Sequence, residues 1–326
     1  MPQKTVLVLG GSYFIGLAIV KELADCGYKV YTLNRGNRKN TDSRVTNIVC
    51  DRCRKELLNT VLRDLAPEYV VDVSGLSGLH AELVCNALNT SRLEALIYIS
   101  SSAVYSVDEL TIPFRESDKL GENPYWLEYG TGKLDAEVVY MRFLRKRKIR
   151  GVFLRPPYIY GENNYAQRES FMFEHALSGR IILVPENDPL LHFCYAPDLA
   201  MLTACFLERD DLSGVGIYNV GDSFAVRAVE WVDLCAEAIK RPVRIIRYNY
   251  KSAGRRVRDF FPFNDYDNVL DVTAVKQLYG IETPLDKGLA ATARWYESVR
   301  GSIAFNPFVA ENEKAILKEL GIDEKA

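Results

Sequence analysis

The chain has 326 residues, 48% of them hydrophobic and 26% charged, with a formal net charge of −2. That length allows one large α/β unit or two joined domains, and the near-neutral balance gives no global attraction to nucleic acid or to an anionic membrane. No stretch approaches the roughly 20 apolar residues of a membrane span, and a strand-like run follows Met1-Pro2-Gln3-Lys4 at once, so a secretory leader is not expected.

Taken in chain order, residues 5–9 form a short apolar β run, and residues 14–26 place Leu17, Val20, Leu23 and Ala24 at helical spacing. Residues 29–33 and 45–49 are further strands, and 54–65 reads as a helix ended by Pro67. Strands at 69–73 and 95–100 flank a helix at 79–88, and a long helix at 125–147 precedes a strand at 151–154. Strands alternating with helices predict an α/β fold, a doubly wound parallel sheet of Rossmann type with a smaller, discontinuous C-terminal substrate domain. Beyond Arg155 the rhythm loosens: 156–165 and 185–197 read as loops, helices return at 196–208, 228–240 and 285–300, and 217–220 is a strand rejoining the first sheet. The expected division is a dinucleotide-binding domain over 1–160, rejoined by about 190–222, and a substrate portion over 161–189 and 223–326. The tail at 307–326 reads as a charged amphipathic helix.

Seven cysteines (Cys26, Cys50, Cys53, Cys85, Cys194, Cys205, Cys235), odd in number and mostly inside apolar runs, point to reduced thiols and a cytoplasmic location. Cys50-Asp51-Arg52-Cys53 lacks the second pair a structural zinc site wants, and His80, His175 and His192 show no ligand spacing, so no metal is expected.

Gly10-Gly11-Ser12-Tyr13-Phe14-Ile15-Gly16 lies between the first strand and the first helix. Small residues there let backbone approach a pyrophosphate, whose charge meets the helix N-terminus. The second strand ends in Leu33-Asn34-Arg35-Gly36-Asn37-Arg38. No carboxylate is present for a ribose 2′-hydroxyl, and two arginines suit a 2′-phosphate, so NADP is favoured while NAD stays possible. Asp51, beside Arg52, is a partner for the adenine amino group, and Ser74 and Gly75 flank the cofactor after the fourth strand.

Tyr129 and Lys133 stand four residues apart on the long helix, one above the other on the same face. A neighbouring ammonium favours the phenolate, which makes Tyr129 a proton-transfer candidate. In a chain with 19 tyrosines roughly one such pair arises by chance, so context decides. Ser100-Ser101-Ser102, 27 to 29 positions before the tyrosine, offers hydroxyls to share a substrate oxygen.

The ordered set of Gly-Gly-x-x-Phe-Ile-Gly, Tyr98-Ile99-Ser100-Ser101-Ser102-Ala103-Val104-Tyr105, Tyr129-x-x-x-Lys133 and Arg155-Pro156-Pro157-Tyr158-Ile159-Tyr160-Gly161 resembles the extended short-chain dehydrogenase/reductases, in the NAD-dependent epimerase/dehydratase branch. The resemblance runs to about Arg300, with later echoes at His192–Ala200 and Tyr218-Asn219-Val220-Gly221. It implies Ser101 as the catalytic serine, Tyr129 as acid/base and Lys133 as ribose ligand, with Ser100, Pro156 and Tyr158 beside the cofactor. The acidic pair that follows the catalytic residue in the family's dehydratases is replaced by Ser102 and Ala103, so dehydration is disfavoured. A nucleotide-sugar epimerase or ketone reductase remains. Substrate contacts are expected from Ser102, Tyr158, Asn163, Asn164, Arg168, Arg180, His192 and Arg256, the last within Arg255-Arg256-Val257-Arg258; the arginines suit a diphosphate.

Tyr13 stands where the family usually has glycine. With Asn34-Arg35-Gly36 and Phe260-Phe261-Pro262-Phe263, this resembles an atypical subgroup that includes chloroplast stem-loop-binding proteins, some of which bind RNA. A non-catalytic RNA-binding or cofactor-sensing protein is therefore the alternative. The basic run Arg142, Arg145, Lys146, Arg147, Lys148, Arg150 reads first as cations favoured at a helix C-terminus, so nucleic acid is not the expected partner. The family resemblance implies a homodimer built through the Tyr129 helix and the helix at 79–88.

Overall fold

The structure is a computed structural model that describes residues 3–323. Its walk begins with β1 (Thr5–Leu9), α1 (Ile15–Asp25), β2 (Lys29–Asn34), β3 (Thr46–Val49), α2 (Lys55–Leu65), β4 (Tyr69–Asp72), α3 (Gly78–Ala87), β5 (Ala95–Ile99), α4 (Leu127–Arg147) and β6 (Arg150–Arg155). There follow β7 (Tyr158–Tyr160), α5 (Glu169–Ser178), β8 (Ile182–Pro185), β9 (Leu190–Tyr195), α6 (Ala196–Glu208) and β10 (Val215–Asn219). The chain ends through β11 (Ala225–Arg227), α7 (Ala228–Ala238), β12 (Ile245–Tyr248), α8 (Thr273–Leu278), α9 (Leu285–Val299) and α10 (Pro307–Glu319).

It divides into two units. The first is Met1–Pro157 with Ala196–Gly221 and Leu270–Ile281; the second is Tyr158–Tyr195 with Asp222–Val269 and Glu282–Ala326. The first unit thus takes back two later segments, the second of them carrying α8.

In the first unit seven parallel strands run in the order β10-β6-β5-β4-β1-β2-β3. The order reverses between β1 and β4, where Leu9 lies in register with Asp72 and Asp72 with Tyr98. In open α/β sheets ligands bind outside the carboxyl ends of the strands at such a switch point. One face is covered by α2, α3 and α4, with Leu58, Leu62, Val84, Ala136, Tyr140 and Leu144 in one core cluster. On α1, Ile19, Val20 and Leu23 are fully buried, and this helix packs on α6. Local chemistry sets the ends. Ala66 takes the left-handed conformation ahead of Pro67 and stops α2. Ser77 Oγ accepts from His80 N and starts α3.

The second unit has a three-stranded sheet, β11-β9-β7, and a parallel pair, β12-β8. Residues 185–197, read as loop, contain β9, and 156–165 contains β7. Their runs are short and rich in aromatics, and the rings form the core: Phe193 stacks on Trp231 at 3.6 Å, with Phe263 and Tyr160 edge-on around them. A buried ion-pair cluster fastens α10, for Glu313 accepts from His175 Nε2 and from Arg180, each at 2.9 Å. The predicted tail helix ends at Glu319, and positions 324–326 lie outside the described residues. Among the described residues, no helix is long and apolar enough to cross a membrane, and all seven cysteines are free thiols.

Candidate functional site

The turn from β1 into α1 is built on backbone contact. Gly10 has φ +96°, a conformation that favours glycine, and its N–H donates to Leu33 O at 3.0 Å. A Cβ on Gly16 would sit 2.1 Å from Gly10 O. No side chain caps α1; the N–H groups of Gly16, Leu17 and Ala18 donate to the carbonyls of Tyr13 and Phe14 at 2.9 to 3.2 Å, and the helix N-terminus still presents its positive end to the turn. Tyr13 is half-buried, and the Arg38 guanidinium lies 4.1 Å from its ring centre. Arg35 and Arg38 are exposed. Asn34 Oδ1 accepts from Gly36 N, while its enclosed Nδ2 has no partner. An orphaned donor at the end of β2, beside a glycine turn and an uncapped helix, fits a dinucleotide whose ribose supplies the missing acceptor.

Helix α4 carries the candidate acid/base across the ends of three strands. A Cβ on Gly130 would meet Ala103 O at 2.4 Å, and one on Gly132 would meet Leu76 O at 2.3 Å. Bare backbone on both sides lets the helix lie directly on the segment that follows Ser101. Tyr129 is 39% exposed, with the Trp126 ring 5.6 Å away. One turn on, Lys133 is buried and donates from Nζ to Ile99 O at 2.8 Å. Burial pushes this ammonium down to about 8, against Asp72 and Glu137, which pull it up, and with Arg52, which lowers it further. Ser101 is half-buried, its Oγ accepting from Ala103 N; Ser102 is buried and its N–H donates to Pro156 O.

Four residues without a predicted role complete this face. Glu137 accepts from Ser100 Oγ at 2.6 Å and from both arms of Arg155 at 2.9 and 2.7 Å. Tyr140 donates to Asp72 at 2.7 Å. The spacing Tyr129, Lys133, Glu137, Tyr140 is one helical stripe, a signal present in the sequence once the helix is drawn. Asp72 is visible only as a lone carboxylate inside an apolar strand.

Several predicted ligands also make bonds within the fold. Arg52, expected beside the cofactor, forks onto Asp72 at 2.9 Å twice and onto Ser74 Oγ at 2.6 Å in a buried arrangement. Asp51 Oδ1 accepts from Cys53 N. In the second unit His192 is 1% exposed and donates from Nε2 to Asp222 O, and buried Asn164 spends its amide on Ile159 O and Glu169. These two, expected at the substrate, tie polar atoms of the short β7 and β9 region through these bonds. Arg256 is exposed and pairs with Asp259 at 3.3 Å; Asn163 is exposed with φ 65°.

Arg168 and Tyr158 do come together. The guanidinium sits 4.8 Å above the Tyr158 ring, whose other neighbours are Phe263 and Asn264. Arg258 is close enough to Arg168 to feel its charge. Arg258 and Arg180 line a pocket of about 180 Å³ with Phe171, His175, Phe261 and Val309. Of the basic run, Arg150 donates to Phe206 O and Leu207 O at the end of α6, and the residues from Arg145 to Lys148 are exposed.

A doubly wound sheet with a glycine turn and a Tyr-x-x-x-Lys helix at its carboxyl edge defines a dinucleotide-dependent oxidoreductase class. The family model described as "NAD dependent epimerase/dehydratase family" matches residues 6–221, and the chain belongs to that family. It is 26% identical over 300 residues to the chloroplast stem-loop binding protein of 41 kDa b of Arabidopsis thaliana, covering 87% of this chain and 76% of that one. It is 25% identical to a dTDP-4-dehydro-6-deoxy-D-allose reductase of Streptomyces, with coverage of 90% and 96%. Among solved structures, the UDP-glucose 4-epimerase of Thermus thermophilus in complex with NAD superposes with a TM-score of 0.73 at 21% identity, over 90% of this chain and 99% of that one.

Proposed function

We propose that the protein interconverts an alcohol and a ketone on a nucleotide sugar, as an epimerase or a ketone reductase, with NADP as its cofactor. The carrying observation is the fixed Lys133 ammonium, 2.8 Å from Ile99 O and one turn beyond Tyr129. A bound nicotinamide dinucleotide supplies the hydride acceptor and donor. The turn from Gly10 to Gly16 (Ser12, Phe14 and Ile15 included) would hold its pyrophosphate, Asn34, Arg35 and Arg38 its ribose end, Asp51 its adenine, and Ser74, Gly75, Ser100 and Pro156 its remaining length. Absence of a carboxylate at the end of β2, with Arg38 supported on Tyr13, favours a 2′-phosphate.

Tyr129 takes the substrate hydroxyl proton during oxidation and returns it during reduction. Ser101 Oγ donates to the same oxygen, and Lys133 favours the phenolate for as long as it carries its proton. In the second unit, Arg168 and Arg258 have no carboxylate partner among the described residues and would take the diphosphate, next to Tyr158. A reduced compartment such as the cytoplasm suits seven free thiols. A second copy of the chain pairs across α3 and α4, where Leu79 and Val138 are 60% and 40% exposed; light scattering showing only monomer rejects this.

Tyr129→Phe should lower kcat by about 10²- to 10⁴-fold while leaving NADPH binding within about twofold. Full turnover in that variant removes the catalytic assignment. Loss of reduced-cofactor absorbance with a candidate keto-sugar nucleotide identifies a reductase; conversion between stereoisomers without net cofactor change identifies an epimerase.

A further inference from the structure

Behind the candidate pair lies a buried charge whose position neither the family match nor the proton chemistry of Tyr129 explains. Asp72, at the end of β4 and wholly buried, receives five hydrogen bonds. Two come from the Arg52 fork at 2.9 Å each, one from Tyr140 at 2.7 Å, and two from the N–H groups of Ser74 and Gly75 at 3.1 and 2.9 Å. Burial favours the neutral acid, but the Arg52 charge and hydrogen bonds, Tyr140 and Lys133 prevail and hold Asp72 below its ordinary value. Tyr140, itself buried, keeps its proton and donates. Asp72 is therefore a carboxylate.

This carboxylate is close to Lys133 through packed rings. The ammonium lies 4.9 Å from the centre of the Tyr98 ring, which is 5.2 Å from the Tyr140 ring, and Tyr98 OH donates to Gly75 O. The charged and titratable groups around Lys133 come from every neighbouring element: Asp72 on β4, Arg52 ahead of α2, His80 on α3, Tyr98 on β5, and Tyr129, Glu137 and Tyr140 on α4. Two of them hold the ammonium charged, Asp72 more strongly than Glu137, and Arg52 opposes them. Glu137 is itself bound by Arg155. A pair serving stability alone could be replaced by well-packed apolar residues without loss. This one stands at the strand ends where the sheet order reverses, in register with Leu9 and Tyr98.

We propose that Asp72, clamped by Arg52, is a positioning residue that keeps the proton on Lys133 and so sets the pH range in which the Tyr129–Lys133 pair works. This rests on the catalytic reading of that pair. The test follows Lys133 directly by side-chain nitrogen NMR on lysine-labelled protein, with a Lys133→Arg spectrum to assign the signal. In Asp72→Asn the Lys133 midpoint should fall, with a loss of proton affinity of about tenfold or more, because the Asp72 charge is gone while Arg52 stays. In Arg52→Met the midpoint should rise.

The double variant Arg52→Met/Asp72→Asn removes both members of the buried Arg52–Asp72 pair at once. Its Lys133 midpoint should lie below that of the unsubstituted protein, since Asp72 raises Lys133 more than Arg52 lowers it, and that fall decides alone if neither single variant folds. The basic limb of the kcat/KM profile should move with the midpoint. An unmoved midpoint, the same direction of shift in both single variants, or a pH profile that ignores the midpoint overturns the proposal. Failure of the catalytic reading shows separately, as full turnover in Tyr129→Phe.

Discussion

Helix α4 carries a row of candidate functional residues and Arg168 stands just before α5, and the two are held differently. On α4, Lys133, Glu137 and Tyr140 each end on a different strand terminus: Ile99 of β5, Arg155 of β6 and Asp72 of β4. At the start of α5, Arg168 leans on the Tyr158 ring, and a weak hydrogen bond from it reaches Ile159 O at 3.4 Å. Charged hydrogen bonds inside a sheet edge fix a side chain tightly, as proton transfer requires. A guanidinium resting on a ring keeps most of its five donors for an incoming anion. One helix is built to hold a geometry, the other to accept one.

Breaking the α4 side should have the larger effects. Glu137→Ala strands the Arg155 cation in the core and should cost about 3–5 kcal/mol, read by denaturant unfolding; a loss under 1 kcal/mol would show that α4 does not depend on this clamp. Next comes Lys133, whose folded value of about 8 lies below its ordinary value of 10.5. Below about 8 it is charged in both states. Between those values the folded protein has shed the proton and the unfolded chain still binds it, so stability rises with pH through that window, by roughly 3 kcal/mol in all. Lys133→Met should lack the rise, and parallel slopes for the two proteins would contradict the buried-ammonium account. The α5 side should respond most mildly. Arg168→Met is expected to raise KM for a nucleotide sugar about tenfold with kcat and unfolding midpoint little changed, as loss of a single ground-state contact would. A fall in kcat with KM constant would move Arg168 from binding to chemistry.

The same contrast explains what could be read in advance. The strands of the first unit are apolar runs bounded by turn residues, and β1, β2, β4 and β5 were legible for that reason. Helix α5 was not, because its inner face includes Glu169, 1% exposed and bonded to Gly161 N and Asn164; a carboxylate there defeats an apolar periodicity. At the site, Tyr129 and Lys133 announce themselves by spacing. Asp72 and Arg52 do not, since they are 20 residues apart on different elements and meet only in the folded sheet. The internal bonds of His192 and Asn164 are hidden for the same reason: their partners Asp222 and Glu169 are fixed only when the short strands fold.

Gly130 and Gly132 bring α4 against Ala103 O and Leu76 O with no side chain between. The spacing from Tyr129 to the serine segment is therefore set by peptide planes in contact, dimensions that no rotamer change can alter. A contact of that kind has no slack to absorb substitutions by small adjustments. Sequence drift at these two positions is confined to loss of the contact as a whole, so the reach between the tyrosine and serine should behave as a constant of the fold while the arginines of the second unit vary with substrate.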